Sequence, residues 1–121
     1  MLVADDHDSL RRLLVAMLQE HARLDVVADT GSGAEAVRLA IELQPDVALL
    51  DATMPGLGGL DAARAIHEGS PGVAVVIFSG SPPTSTSATP GVLAWLTKGE
   101  PMRDTIDRLL AVLDEHRGAS P

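Results

Sequence analysis

Short apolar runs alternate along this chain with stretches whose apolar residues recur every three or four positions, and that alternation restricts it to βα units wound onto a parallel sheet. Five runs have strand length: Met1–Ala4, Leu24–Ala28, Val47–Leu50, Val73–Phe78 and Val92–Leu96. Val47–Leu50 is apolar at every position, as a strand covered on both faces must be. It stops abruptly at Asp51.

Parallel strands need crossovers, and the stretches between the runs supply helices for most of them. Leu10, Leu13, Leu14, Met17 and Leu18 stand at helical spacing, with Asp8 or Ser9 as N-cap. Gly31, Ser32 and Gly33 lead into a second helix, where Ser32 and Glu35 have capping-box spacing. Its apolar face is Ala36, Val37, Ala40 and Ile41, and Pro45 closes it off. Pro55, Gly56, Gly58 and Gly59 predict a loop before a short helix over Leu60–Glu68. A final amphipathic helix carries Ile106, Leu109, Leu110 and Leu113 and fades from His116 onward.

Where the alternation calls for a fourth helix, Ser81–Pro90 reads SPPTSTSATP. Pro82, Pro83 and Pro90 remove backbone donors, the Ser and Thr side chains compete for backbone hydrogen bonds, and no large apolar residue offers a face to bury. An irregular, mobile segment is expected there. The sequence predicts one three-layer α/β domain over residues 1–117, with 118–121 as the start of a linker or tail.

Composition narrows the function. One Phe, one Trp and no Tyr leave an aliphatic core and exclude an aromatic platform for nucleic-acid bases. A net charge of −8, with arginines scattered along the chain, repels phosphate backbones, so this stretch alone is not expected to bind DNA. Absence of cysteine removes disulfides and thiol chemistry. Met1–Asp6 turns acidic too soon for a signal peptide, and no run approaches the roughly 20 apolar residues of a membrane span, so the expected location is cytoplasmic. His7, His21, His67 and His116 show no metal-ligand spacing.

In an open parallel sheet the ligand site lies outside the carboxyl ends of the strands. The predicted strand ends place Asp5 and Asp6, Asp51, Ser79 and Lys98 at that edge. Two carboxylates about 4 Å apart repel by roughly 4 kcal/mol at an effective dielectric near 20, so a cluster of three calls for a cation. A hard divalent ion such as Mg²⁺ is the natural partner. Lys98 is the only lysine, and its place directly after a buried strand faces it toward an anion. A carboxylate-held metal opposite an ammonium and a hydroxyl suits a phosphoryl group, with Asp51 as nucleophile. Asp5 and Asp6 taken alone read as an ordinary turn, and Ser79 taken alone as a turn residue.

At this point the chain resembles a response-regulator receiver domain. VADDH (Val3–His7), LLDATMPGLGGLD (Leu49–Asp61), VVIFSG (Val75–Gly80) and WLTKGE (Trp95–Glu100) match that family's motifs in order and approximate spacing, from about Met1 to about His116. The Asp-Asp-His ending of the first strand, and Lys98 followed by no proline, most resemble the NarL/FixJ subfamily, whose receivers precede a LuxR-type helix-turn-helix output domain. The resemblance implies a flavodoxin-like (βα)5 fold with sheet order 2-1-3-4-5, here with the fourth helix lost or disordered. It implies Asp51 as phosphoacceptor, Asp6 as a direct Mg²⁺ ligand, Asp5 as an outer or water-mediated one, and the Thr53 backbone carbonyl as a further ligand. Ser79 would move to bind one phosphoryl oxygen and Lys98 would pair with another. Gly80 would leave an access path to Asp51, and Trp95 falls at an aromatic switch position. The implied partner is a histidine kinase; a homodimer is admitted, and DNA only through an output domain absent from this chain. Such a domain is no enzyme beyond its own phosphorylation and dephosphorylation.

Two other classes fail on a residue. A haloacid-dehalogenase-type phosphatase needs an Asp where Thr53 stands, and a flavodoxin needs a Ser/Thr/Gly phosphate loop where Asp5, Asp6 and His7 stand. The standing alternative is a pseudo-receiver, an interaction module that keeps the fold and works without phosphorylation.

Overall fold

The structure, a computed structural model, describes residues 1–22, 24–80 and 89–118. Its elements are β1 (Leu2–Ala4), α1 (Asp8–Gln19), β2 (Ala28–Thr30), α2 (Gly33–Leu43), β3 (Val47–Asp51), α3 (Gly59–Gly69), β4 (Ala74–Ser79), β5 (Val92–Thr97) and α4 (Met102–Gly118). The strands form one parallel sheet in the order β2-β1-β3-β4-β5, the flavodoxin-like α/β arrangement expected.

Strand alternation sends successive residues to opposite faces, and two apolar cores result. Val3, Leu49, Val76 and Phe78 pack with Leu14 and Leu18 of α1 and Ile106, Leu109 and Leu113 of α4. Leu2, Ala4, Leu50, Val75 and Ile77 pack on the other face, against Ala36 and Ala40 of α2 and Ala62, Ala63 and Ile66 of α3. Small side chains on those two helices compensate for the scarcity of aromatics by letting backbone approach the sheet. Full burial of each Leu or Ile here contributes about 1.5–3 kcal/mol.

Several boundaries differ from expectation. The second strand is Ala28–Thr30 and not Leu24–Ala28, because it pairs with the three residues of β1 and extends no further. Leu24 and Val26 owe their apolar character to packing beside α1. In that lead-in, Val27 N–H donates to the Met1 carbonyl and the Met1 ammonium to the Asp25 carbonyl, 2.6 Å away. Helix α1 has His7 as N-cap, without a side-chain cap, in place of Asp8 or Ser9. Asp8 lies inside the first turn, where it pairs with Arg11 at 2.8 Å.

At α2 only half of the capping box forms. Ser32 Oγ accepts the Glu35 N–H at 3.3 Å, whereas the Ser32 N–H donates to Thr30 Oγ1 at 3.2 Å. Helix α4 continues to Gly118, beyond the point where its periodicity fades. Among the described residues no helix stands between β4 and β5; residues 81–88, on which the expectation of a lost fourth helix rests, lie outside them. So do residues 119–121 of the expected tail.

Candidate metal and phosphoryl site

Parallel strands bring all their carboxyl ends to one edge, and the polar residues follow from where each apolar run stops. Asp5 and Asp6 follow β1, Asp51 is the last residue of β3, Ser79 the last of β4, and Lys98 comes directly after β5. The ladder continues past the strands: Lys98 N–H donates to the Ser79 carbonyl at 2.6 Å and Ala52 N–H to the Phe78 carbonyl at 3.0 Å. Those bonds seat Lys98 beside β4 and lead the chain out of β3 in a defined direction.

Oxygens of Asp5, Asp6 and Asp51 all lie within 4.8 Å of one another. Asp5 and Asp51 are buried, at 1% and 6% exposure, whereas Asp6 faces solvent. Lys98 Nζ stands 3.2 Å from Asp5 Oδ2 and 3.2 Å from Asp51 Oδ1, joining two carboxylates contributed by different strands. It also lies 5.2 Å above the centroid of the Phe78 ring, a cation–π placement that supports the lysine from the sheet side.

The remaining contacts leave the cluster short of positive charge. Asp5 Oδ1 accepts the His7 N–H at 2.9 Å, and Asp51 Oδ1 accepts the Thr53 N–H at 3.3 Å. Among the described residues Asp5 Oδ2, which is buried, makes no hydrogen bond and is ion-paired with the ammonium of Lys98. Burial pushes the Asp51 carboxyl above the ordinary carboxylate range, the Asp5 charge pushes the same way, and the Thr53 N–H and Lys98 offset them only in part. A buried carboxylate oxygen that makes no hydrogen bond, in a cluster where three carboxylates face one ammonium, fits a hard divalent cation with oxygen ligands.

The structure thus gathers Asp5, Asp6, Asp51, Ser79 and Lys98 at one edge, as the sequence suggests. Thr53 is exposed two residues beyond Asp51, on the loop that leaves the site. Among the described residues, a Cβ built on Gly80 would meet nothing within 4 Å. Trp95 stands apart from the carboxylates, half-buried against the core under α2 and α3. A bulge sets its direction: Val75 pairs with Val92 but Val76 with Ala94, so Leu93 is an extra residue and Trp95 turns to the face opposite Phe78.

Three contributors escape the sequence reading. Phe78 looks like core and proves to be the support of Lys98. Gly59 looks like a loop residue, yet a Cβ there would lie 2.3 Å from the Asp51 carbonyl, so only glycine lets α3 begin this close to the site. Arg11 donates to the Asp5 carbonyl at 2.7 Å. A single sequence carries no signal separating it from the other arginines, since its partner is a backbone oxygen.

Comparison with known proteins agrees with this geometry. The response regulator receiver domain family matches residues 1–109. The chain is 36% identical over 124 residues to the response regulator GacA of Pseudomonas viridiflava, covering 100% of this chain and 58% of that protein. Among solved structures it is similar to the response regulator domain of Thermotoga maritima CheB, with TM-score 0.86, 27% identity and coverage of 99% and 96% of the two chains. A DNA-binding response regulator of the LuxR family from Staphylococcus aureus superposes with TM-score 0.82 at 25% identity, covering 92% and 95%. The chain spans little more than half the length of the curated relative it matches.

Proposed function

The chain belongs to the response regulator receiver domain family, the signalling switch of two-component systems, and on that premise we propose that it is switched by phosphorylation of Asp51. The observation that carries this reading is Lys98 Nζ at 3.2 Å from both Asp5 and Asp51, a single ammonium against a cluster of three carboxylates. The donor is a phosphohistidine of a histidine kinase or a small acyl phosphate. An Asp51 carboxylate oxygen forms the new O–P bond as the P–N bond of the phosphohistidine, or the P–O bond of the acyl phosphate, breaks. The leaving imidazole or carboxylate keeps the electron pair.

Asp5, Asp6, Asp51 and the Thr53 carbonyl would hold Mg²⁺, with Asp5 as an outer or water-mediated ligand. When bound, the ion supplies neutralisation of charge on the transferring phosphoryl oxygens. Lys98, released from part of its pairing with Asp51 once that carboxylate becomes an acyl phosphate, turns to a phosphoryl oxygen. Ser79 takes another, and Trp95 relays the change along β5. Access of the donor to Asp51 past Gly80 is part of the same reading, and it accords with the absence of any described atom within 4 Å of a Cβ there. The domain acts catalytically only on its own Asp51, in phosphorylation and dephosphorylation.

The output proposed is transcriptional, through a DNA-binding domain outside this chain, and homodimerisation is compatible with it. Support comes from similarity to a DNA-binding response regulator of the LuxR family. Among the described residues no helix is long and apolar enough to cross a membrane, which accords with the cytoplasmic location proposed.

Intact-mass measurement after incubation with acetyl phosphate tests the reading. One added phosphate is expected with Mg²⁺ and none with EDTA or in Asp51→Asn. No adduct in the folded wild type would reject phosphorylation on Asp51 and favour the phosphorylation-independent interaction module.

A further inference from the structure

Arg11 reaches the acidic edge from α1, and its guanidinium is spent on that edge alone. Nη1 donates to the Asp5 carbonyl at 2.7 Å, Nε to Asp29 Oδ2 at 2.9 Å, and Nη2 pairs with Asp8 Oδ1 at 2.8 Å. Its side chain is only 15% exposed. The carbonyl it grips belongs to the peptide joining Asp5 to Asp6, two of the three carboxylate residues. The other side of Asp5 is pinned as well, since its N–H donates to the Thr30 carbonyl at 3.0 Å. Asp8 and Asp29 act as anchors that fix the guanidinium, one from α1 and one from β2.

From this arrangement we propose that Arg11 is a positioning residue for the divalent-cation site, holding the Asp5–Asp6 peptide in the orientation that points both carboxylates at Asp51. The proposal rests on the cation-binding part of the function given above. Gly31 belongs to the same device: a Cβ there would come 3.1 Å from Arg11 Nη1, so glycine leaves the guanidinium its seat. The planar fork matters in addition to the charge, because three acceptors in different directions demand several fixed N–H groups, which a lysine lacks.

Positioning and simple electrostatics predict opposite results. A cation near a cation site repels the incoming ion, so if charge alone mattered, Arg11→Gln would bind Mg²⁺ more tightly and Arg11→Lys would match the wild type. Positioning predicts weaker binding in both, by about tenfold, the lower end of what loss of an outer-shell partner does to metal sites. The measurement is a titration with MgCl₂ followed by amide NMR shifts of Asp6 and Asp51 well below the melting temperature. A merely structural Arg11 would lower the melting temperature and leave the Kd of the folded protein unchanged. If Arg11→Gln does not fold, Gly31→Ala decides: it presses on Nη1 without removing it, and a smaller weakening in the same direction is expected. Wild-type affinity in Arg11→Lys or in Gly31→Ala would overturn the proposal and leave the site itself standing. No Mg²⁺-dependent shifts in the wild type would instead reject the site on which it rests.

Discussion

Asp51 sits where burial and a neighbouring carboxylate both oppose its charge, so the folded protein holds the Asp51 proton to higher pH than the unfolded chain does. Between the ordinary carboxylate range and that raised value the native state binds more protons than the unfolded state, and stability falls as pH rises through the window. In metal-free buffer Asp51→Asn is therefore expected to melt above the wild type at pH 7. The gap is expected to close as pH falls to the ordinary carboxylate range, about 4, where the carboxyl is protonated in the unfolded chain as well as in the native one. Thermal melts of the two proteins across that range check the sign; an Asn variant less stable than wild type at neutral pH would mean that Lys98 outweighs burial.

Lys98 gives the complementary case. Lys98→Met leaves Asp5 and Asp51 buried beside each other without a cation, and removing one partner of a buried pair costs roughly 3–5 kcal/mol. Urea unfolding in EDTA measures that loss. Added Mg²⁺ is expected to restore more stability to this variant than to the wild type, because the ion answers the same unmet charge.

At the scale of elements, close backbone approach sets the geometry around the site. Helix α3 can begin beside Asp51 only because Gly59 has no side chain: a Cβ would lie 2.3 Å from the Asp51 carbonyl and 2.9 Å from Ala52 Cα. Gly33 does the same for α2, where a Cβ would lie 2.0 Å from the Leu57 carbonyl. Overpacking of this kind costs typically 1–3 kcal/mol, and at Gly59 the strain falls on the strand end that carries the phosphoacceptor. Gly59→Ala is thus expected to lower the denaturation midpoint and to slow phosphorylation together. Ser32→Ala, which removes the hydroxyl that accepts the Glu35 N–H at the start of α2, is expected to lose about 1 kcal/mol while phosphorylating at the wild-type rate. A normal phosphorylation rate in Gly59→Ala would uncouple the start of α3 from the site.

Across the whole molecule, the sheet gathers negative charge at one edge of a chain already carrying a net charge of −8. A ligand that binds only the folded state stabilises it by mass action, about 1.4 kcal/mol at ten times its Kd. Mg²⁺ is expected to raise the melting temperature of the wild type by a few degrees at such a concentration, and to do so much less in Asp6→Ala. An equal rise in both would place the ion elsewhere on the acidic surface.

The sequence by itself determined the α/β class, the five βα-related strands and the polar residue at the end of each apolar run, because periodicity and burial on both faces are written locally. Asp51 was legible for that reason: a carboxylate closing an apolar strand has few outcomes. Lys98 was legible as the only lysine of the chain. The tertiary structure decided what depends on pairing between distant segments. The length of β2 was set by its partner β1, so Leu24–Val27 fell outside it. The turning of Trp95 away from the carboxylates came from a bulge against β4, which no local pattern announces. Arg11 found a backbone oxygen, Phe78 a lysine and Gly59 a neighbouring carbonyl. Such contacts join groups whose partners are not encoded by side-chain type, and only the packed sheet brings them within reach.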